Sequence, residues 1–328
     1  MFLVVLTTAS LCLRRRIYVI VSPYGNLGNR LFLFANLIAH SIATGSITIN
    51  AGFGVWRGFF AQSRCGPLPC FPALPLPHVA DERVGNLIRH LANVAFFIAL
   101  SPRFADWWGA IETEHDDTVY LDSEPLAIWS KGKRVILLRG YNFLATQSMP
   151  RFADQIRPYF QQIIAPHSDA LAPIQRLRSR CDRVIGVVIR QSGFDQWLGG
   201  RYFFTIATYS RWIREAAILW PGDRVGFFIC CDVCVDLGHL SDLTYEFRAQ
   251  HDLENRAALA HCDAILAPTS SYAAWAAYMA RIPAQLLVDT DQSITIAGFK
   301  PVLNHPDFAP DDYPRLDITP TLLRSCPP

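Results

Sequence analysis

No stretch of this chain has the roughly twenty consecutive apolar residues that a membrane-spanning helix needs, although 51% of its residues are hydrophobic. Met1 to Leu13 is apolar but is followed by Arg14-Arg15-Arg16. A secretory signal carries its positive charges before the apolar stretch, so residues 1–16 are expected to form an extension ahead of the first strand. Peripheral association with a membrane stays open. Ala92 to Leu100 reads as a short buried helix. Surplus charge is also missing: the formal net charge is +2 and the basic residues are scattered, which excludes a general nucleic-acid binder. The nine cysteines fall into no even framework. Cys231 and Cys234 make a C-x-x-C without a second pair at zinc-ribbon spacing, and Cys65 and Cys70 are equally isolated. Structural or free thiols in a reducing, cytoplasmic compartment, and no metal, are the expectation. Internal repeats and low-complexity tracts are absent.

What is present is an α/β rhythm over 328 residues, long enough for two domains. Tyr18 to Ser22 reads as a strand. It runs into the turn Pro23 to Arg30 and a helix whose apolar residues (Leu31, Phe34, Ala35, Ile38, Ile42) recur at helical spacing. Ser46 to Asn50 follows as a strand, completing a β-α-β unit. Residues 51–80 read as a long irregular insertion, 83–100 as a helix, 134–139 as a buried strand and 150–164 as a helix. Ala165 to Asp182, with two prolines and many polar residues, holds the domain boundary. Beyond it come strands at 184–190, 225–231, 264–267 and 286–289, with helices at 206–219, near 254–261, and one carrying Tyr272, Trp275, Ala276 and Met279. The domains are therefore 17–165 and 166–328, both doubly wound and Rossmann-like, facing across a cleft.

Ligands of open α/β sheets bind beyond the carboxyl ends of the strands. Val184 to Ile189 is an apolar run suited to a strand covered on both faces. It stops at Arg190, Gln191, Ser192 and Gly193. Arginine there is either a surface residue or a planar fork of donors for phosphate. Asp232 ends the next strand, as a loop cap or a ligand contact. Ser270 and Ser271 stand before a helix, as N-caps or as donors to an external anion. Their convergence on one sheet edge suggests a nucleotide-diphosphate site. Gly25, Asn26, Gly28, Asn29 and Arg30 form a glycine-containing turn between strand and helix, read as one wall of the cleft. It is not G-x-G-x-x-G, and no acidic residue closes the following strand, which disfavours a dehydrogenase. Gly199 to Phe204 reads as a turn and a packed aromatic segment.

In this order the pieces resemble the fucosyltransferase superfamily of α-1,2-, α-1,6- and protein O-fucosyltransferases. G-N-L-G-N-R-L-F-L-F-A resembles the α-1,2 family's G-x-L-G-N-Q-L-F-x-x-A. The segment around Arg190 resembles its H-x-R-R-G-D-Y block, and Ala257 to Ala277 resembles a later strand, serine and W-A-A block. The resemblance implies a GT-B-like fold and inverting, metal-independent transfer of fucose from GDP-fucose to a glycan hydroxyl. It implies no cofactor beyond the sugar nucleotide. It makes Arg190 the phosphate-binding arginine and puts Gln191, Asp232, Ser270 and Ser271 on the donor. The turn at 25–30 falls on the acceptor side. Val188 stands at the family's histidine, Gln191 at its second arginine and Gly193 at its aspartate. Asp195 is the remaining candidate base. A non-catalytic relative that binds a nucleotide sugar or glycan is the alternative.

Overall fold

The computed structural model describes residues 15–22, 25–53, 69–72, 82–113, 117–163, 168–249 and 252–305. Nearly all of the 1–16 extension and most of the irregular stretch 51–80 lie outside these residues. The described residues form two compact units, one up to residue 163 and one from 168 onward.

In the first unit, β1 (Ile17–Ile20), β2 (Ile47–Asn50), β3 (Cys70–Phe71), β4 (Trp108–Glu112) and β6 (Val135–Arg139) make one sheet in the order β3-β2-β1-β6-β4. Every pairing in it is parallel except that of β3 with β2. A separate two-stranded ladder joins β5 (Val119–Tyr120) to β7 (Phe143–Leu144). The helices are α1 (Leu27–Thr44), α2 (Glu82–Ala99), α3 (Glu124–Trp129), α4 (Ser148–Arg151) and α5 (Ala153–Ile163). The helix expected at 150–164 is therefore two helices, parted at Phe152.

Leu31, Phe34, Ala35 and Ile38 of α1 are fully buried, and so are Phe32, Leu33 and Leu37 on other sides of the helix. A helix covered this completely must satisfy its polar side chains internally. Asn36 does so, donating to Phe32 O and accepting from Ala145 N at 2.8 Å. The helix stops at Gly45, whose φ of 70° is the left-handed cap that glycine adopts freely.

His40, near the end of α1, is 5% exposed, and neither ring nitrogen has a hydrogen-bond partner. Burial, partly offset by Asp122, pulls its pKa down to about 4. A histidine in the unfolded chain titrates near 6.5. As pH falls, the unfolded state therefore takes up the proton first. Stability is intact above about pH 6.5 and falls by about 3 kcal/mol toward pH 4. Urea unfolding at about pH 7 and pH 4.5 should show this loss in the wild type and a much smaller one in His40→Leu. Equal losses in both proteins would clear the imidazole.

The helix expected at 83–100 is α2, and the burial expected of Ala92 to Leu100 is corrected: only one of its sides is buried. Phe96 and Ala99 pack with Val21 and Leu137, while Phe97 and Ile98 are exposed. The segment is apolar on both sides, and the sheet covers only one.

The second unit holds β8 (Arg183–Ile189), β9 (Val225–Cys231), β10 (Thr244–Ala249), β11 (Ala264–Pro268), β12 (Pro283–Leu287) and β13 (Lys300–Pro301). Their order is β10-β9-β8-β11-β12-β13, parallel throughout except β12 with β13. Counted along this unit, that is the 3-2-1-4-5-6 order of dinucleotide-binding folds. Its helices are α6 (Ala172–Arg178), α7 (Ile206–Ala217), α8 (Asp252–Leu259) and α9 (Ser271–Ala280). Ile185, Val187 and Ile189 of β8 pack in one apolar layer with Tyr209, Trp212 and Ile213 of α7. Val184 and Val188 pack in the other, with Ile174, Leu259 and Ala273. The continuous apolar run thus reflects a strand covered on both faces.

The structure adds α6 and β10, which pattern reading omits. Pro173 sits in the first turn of α6, where its missing N–H costs nothing. β10 is an edge strand, half-buried along its length. Its Glu246 takes a paired contact from Arg176 and another from Arg180.

Candidate functional site

The strand order reverses direction at β8 and β11, and this switch point is where open α/β sheets bind ligands. The register Val187↔Leu266 carries Arg190 and Thr269 to the same level beyond the carboxyl edge. Arg190 follows β8, Asp232 follows β9 on one side, and Ser270 and Ser271 follow β11 on the other.

Asp232 organises the loop after β8. Its two carboxylate oxygens accept from Gln191 N at 2.9 Å and Ser192 N at 3.1 Å. Arg190 Nε lies 3.6 Å from Asp232 Oδ2, and that Nε has no hydrogen-bond partner. The guanidinium stands 5.0 Å from the centre of the Phe194 ring, leaving the arginine side chain 20% exposed. Arg190 N donates to the Tyr209 hydroxyl, whose pKa burial pushes upward. The arginine side chain therefore lies between a carboxylate and an aromatic face, while the buried phenol holds its backbone amide.

Gln191 braces the loop through its side-chain amide. Its amide nitrogen donates to Arg190 O and to Phe204 O, both at 3.0 Å, which uses both side-chain N–H donors. It ties the loop's start to the aromatic segment that ends it. Phe204 is buried against Trp212 at 4.9 Å between ring centres, and Trp197 bridges Phe194 and Tyr202. Arg201 is exposed over the Tyr202 ring. Asp195 lies exposed within this loop. Phe194 and Tyr209 were not selected from the sequence. Their signals were an aromatic four residues after Arg190 and a polar tip on the apolar face of α7.

Ser270 occupies the N-cap position of α9 in extended conformation, but its side chain makes no capping bond. It is 7% exposed. Its hydroxyl thus leaves the cap position unused at the positive end of the helix dipole. An arginine fork and an uncapped helix N-terminus at adjacent strand ends form a pair suited to a diphosphate. Val188 is 2% exposed within the apolar layer. Gly193 is exposed with φ of 73°.

In the first unit, the turn after β1 is held by Arg30. Its Nε donates to Gly25 O at 2.9 Å and its Nη1 to Phe53 O at 3.2 Å, joining the turns that follow β1 and β2. Burial, and then Arg89, lowers its pKa. Gly25 and Asn26 are exposed, Asn29 is half-buried, and Gly28 is buried in the first turn of α1. Gly28 therefore serves packing. Asn93 of α2, also unselected from the sequence, donates to Val21 O at the end of β1.

Among the described residues, no group of three or more His, Cys, Asp or Glu side chains is placed to hold a metal ion. Cys231 is buried, which pushes its thiol up to about 11, and Cys234 is exposed.

The two sheets and the site between strand ends define an α/β protein with the GT-B-like fold of fucosyltransferases. FUT1 of Arabidopsis thaliana, solved in complex with GDP, matches 86% of this chain and 73% of its own at a TM-score of 0.51 and 11% identity. The α-1,6-fucosyltransferase NodZ of Bradyrhizobium, soaked with GDP-fucose, matches at 0.44 and 17% identity, over 82% of this chain and 94% of its own. Apo POFUT1 matches at 0.44 and 10% identity, over 82% and 97%. At these identities the likeness is one of fold. No family model matches the sequence, and neither does any curated protein.

Proposed function

We propose that this protein is an inverting, metal-independent glycosyltransferase that moves fucose from GDP-fucose to a glycan hydroxyl. The observation that carries the reading is the placement of Arg190 and the N-terminus of α9 at adjacent strand ends, at the switch point of the second sheet. In such a transfer the bond between the anomeric carbon and the β-phosphate oxygen breaks, and a bond to the acceptor oxygen forms. Positive charge grows on the sugar and negative charge on departing GDP. A site without a cation must meet that negative charge with arginine and backbone donors held in place beforehand. The acceptor proton needs a base within reach; the exposed Asp195 carboxylate is the candidate. We further propose a reducing, cytoplasmic setting, in keeping with the buried thiols of Cys181, Cys231 and Cys262.

A second reading has support of its own. With Val188 buried in an apolar layer and Gly193 lacking a side chain, two groups of the fucosyltransferase block are gone. A protein that binds a nucleotide sugar without turning it over would tolerate both changes. Calorimetry with GDP tests the site: saturable binding is expected, and no heat at millimolar GDP would sink both readings. Release of GDP from GDP-fucose in the presence of candidate glycan acceptors then separates them. Transfer in the wild type with loss in Asp195→Asn is the outcome expected of the enzyme. Full activity in that variant would remove Asp195 as the base.

A further inference from the structure

A surface helix ordinarily pairs one apolar face with a polar one, and a helix apolar on all sides is normally buried. Helix α2 does neither. Its inner side packs Phe96 and Ala99 into the first unit. On the outer side, Leu87, Leu91, Val94 and Ile98 recur at i, i+4, i+7 and i+11, a stripe about 60° wide at 100° per residue. All four are exposed, Leu87 and Leu91 to 56%. Phe97 beside the stripe is 60% exposed. The patch continues past the helix through Leu100 and Phe104 to Trp107, which at 70% is among the most exposed large hydrophobic residues of the described chain. A contiguous apolar surface of this kind marks an interaction site.

The charges around it select the partner. From the first residue of α2 to Trp107 the sequence has three arginines against two acids, Glu82 and Asp106. Arg83 and Arg103 are exposed, at the start of the helix and in the turn beyond it. The basic run Lys131 to Arg134 is fastened to the same turn: Lys133 Nζ donates to Ala105 O, and Arg134 N donates to Trp107 O at 2.7 Å. Arg139 lies over the Phe97 ring at 5.7 Å, its charge paired with Glu112 at 3.2 Å and so not part of the rim. An apolar stripe with aromatic side chains at one end and a cationic rim is the chemistry of a helix lying in the surface of an anionic bilayer. A second copy of the chain fits less well, because a two-fold contact through this face would set one cationic rim against another.

We propose that α2 and the turn to Trp107 form a docking surface for anionic membrane, with the leucine and phenylalanine side chains in the acyl boundary and the basic rim at the headgroups. The proposal does not depend on the catalytic reading. Co-sedimentation of the full chain with vesicles of phosphatidylcholine and phosphatidylglycerol in equal parts tests it. Binding is expected there, several-fold weaker on phosphatidylcholine alone or in high salt. Leu91→Glu combined with Val94→Glu should lower partitioning at least about tenfold with an unchanged circular dichroism spectrum. Arg103→Glu with Lys131→Glu should abolish the preference for the anionic vesicles. The proposal is overturned if the wild type stays in the supernatant, or if both double variants pellet like the wild type, which would place binding elsewhere in the chain. It is equally overturned if the wild type elutes as a dimer that Leu91→Glu with Val94→Glu splits, which would make a second copy the occupant.

Discussion

Arg190→Ala is expected to weaken GDP binding by roughly thirty- to a hundredfold, the equivalent of about 2–3 kcal/mol for charge-assisted bonds to phosphate. The fold should survive. Asp232 still accepts from Gln191 N and Ser192 N without the arginine, and Gln191 still reaches Phe204 O. Arg190→Lys is the sharper variant. It keeps a cation beside Asp232 but loses the planar fork and the stacking on Phe194, so most of the affinity should still be lost. Calorimetry on the three proteins separates a ligand-binding arginine from one that only braces the loop. Unchanged GDP affinity with a lowered melting temperature would assign Arg190 to bracing, and the donor site would have to be sought elsewhere.

Gly140→Ala is expected to cost about 3–5 kcal/mol of stability, from a backbone strained by a side chain and from a direct overlap. Gly140 follows β6 with φ of 112°, and a Cβ there would lie 2.0 Å from Thr113 Oγ1 and 2.6 Å from Thr113 O. The second contact is with backbone, which cannot swing aside, because Thr113 N is bonded to Arg139 O at 2.9 Å. Denaturant unfolding measures the difference. Gly140→Ala with Thr113→Ala should recover only a part, since the carbonyl stays in place. A loss below about 1 kcal/mol would mean that the two strand ends are not in close approach.

How much of this was legible depended on how directly a residue's neighbours in sequence are also its neighbours in space. β8 and β9 could be read because both faces of each are covered, so every position after Arg183 is apolar. The α1 stripe was legible, but its burial on the remaining sides was not, since that burial comes from α4 and α5 more than a hundred residues along the chain. Edge strand β10 was missed because half-buried positions tolerate Glu246 and Arg248 as readily as Tyr245 and Phe247. The site was legible as strand ends and no further. Whether Asp232 caps a loop or meets a ligand is decided by where the 191 and 192 amides point. The two carbonyls that take both Gln191 N–H donors, Arg190 O and Phe204 O, cannot be read from sequence either. The exposed face of α2 was missed for the opposite reason: apolar residues were taken to be buried.

The loop between Arg190 and Phe204 has a further consequence through how it is fastened. Asp232 pins its first amides, Gln191 ties its first residues to its last, and Phe204 is anchored under Trp212. Fixing a flexible segment of this length at the moment of binding would consume much of the interaction energy. Here that ordering belongs to folding. If Arg190 receives a nucleotide as proposed, that ligand would meet a cation whose surroundings are already set, and association would not wait for a slow rearrangement. Selectivity would then rest on fit to the shape the fold has already given this loop.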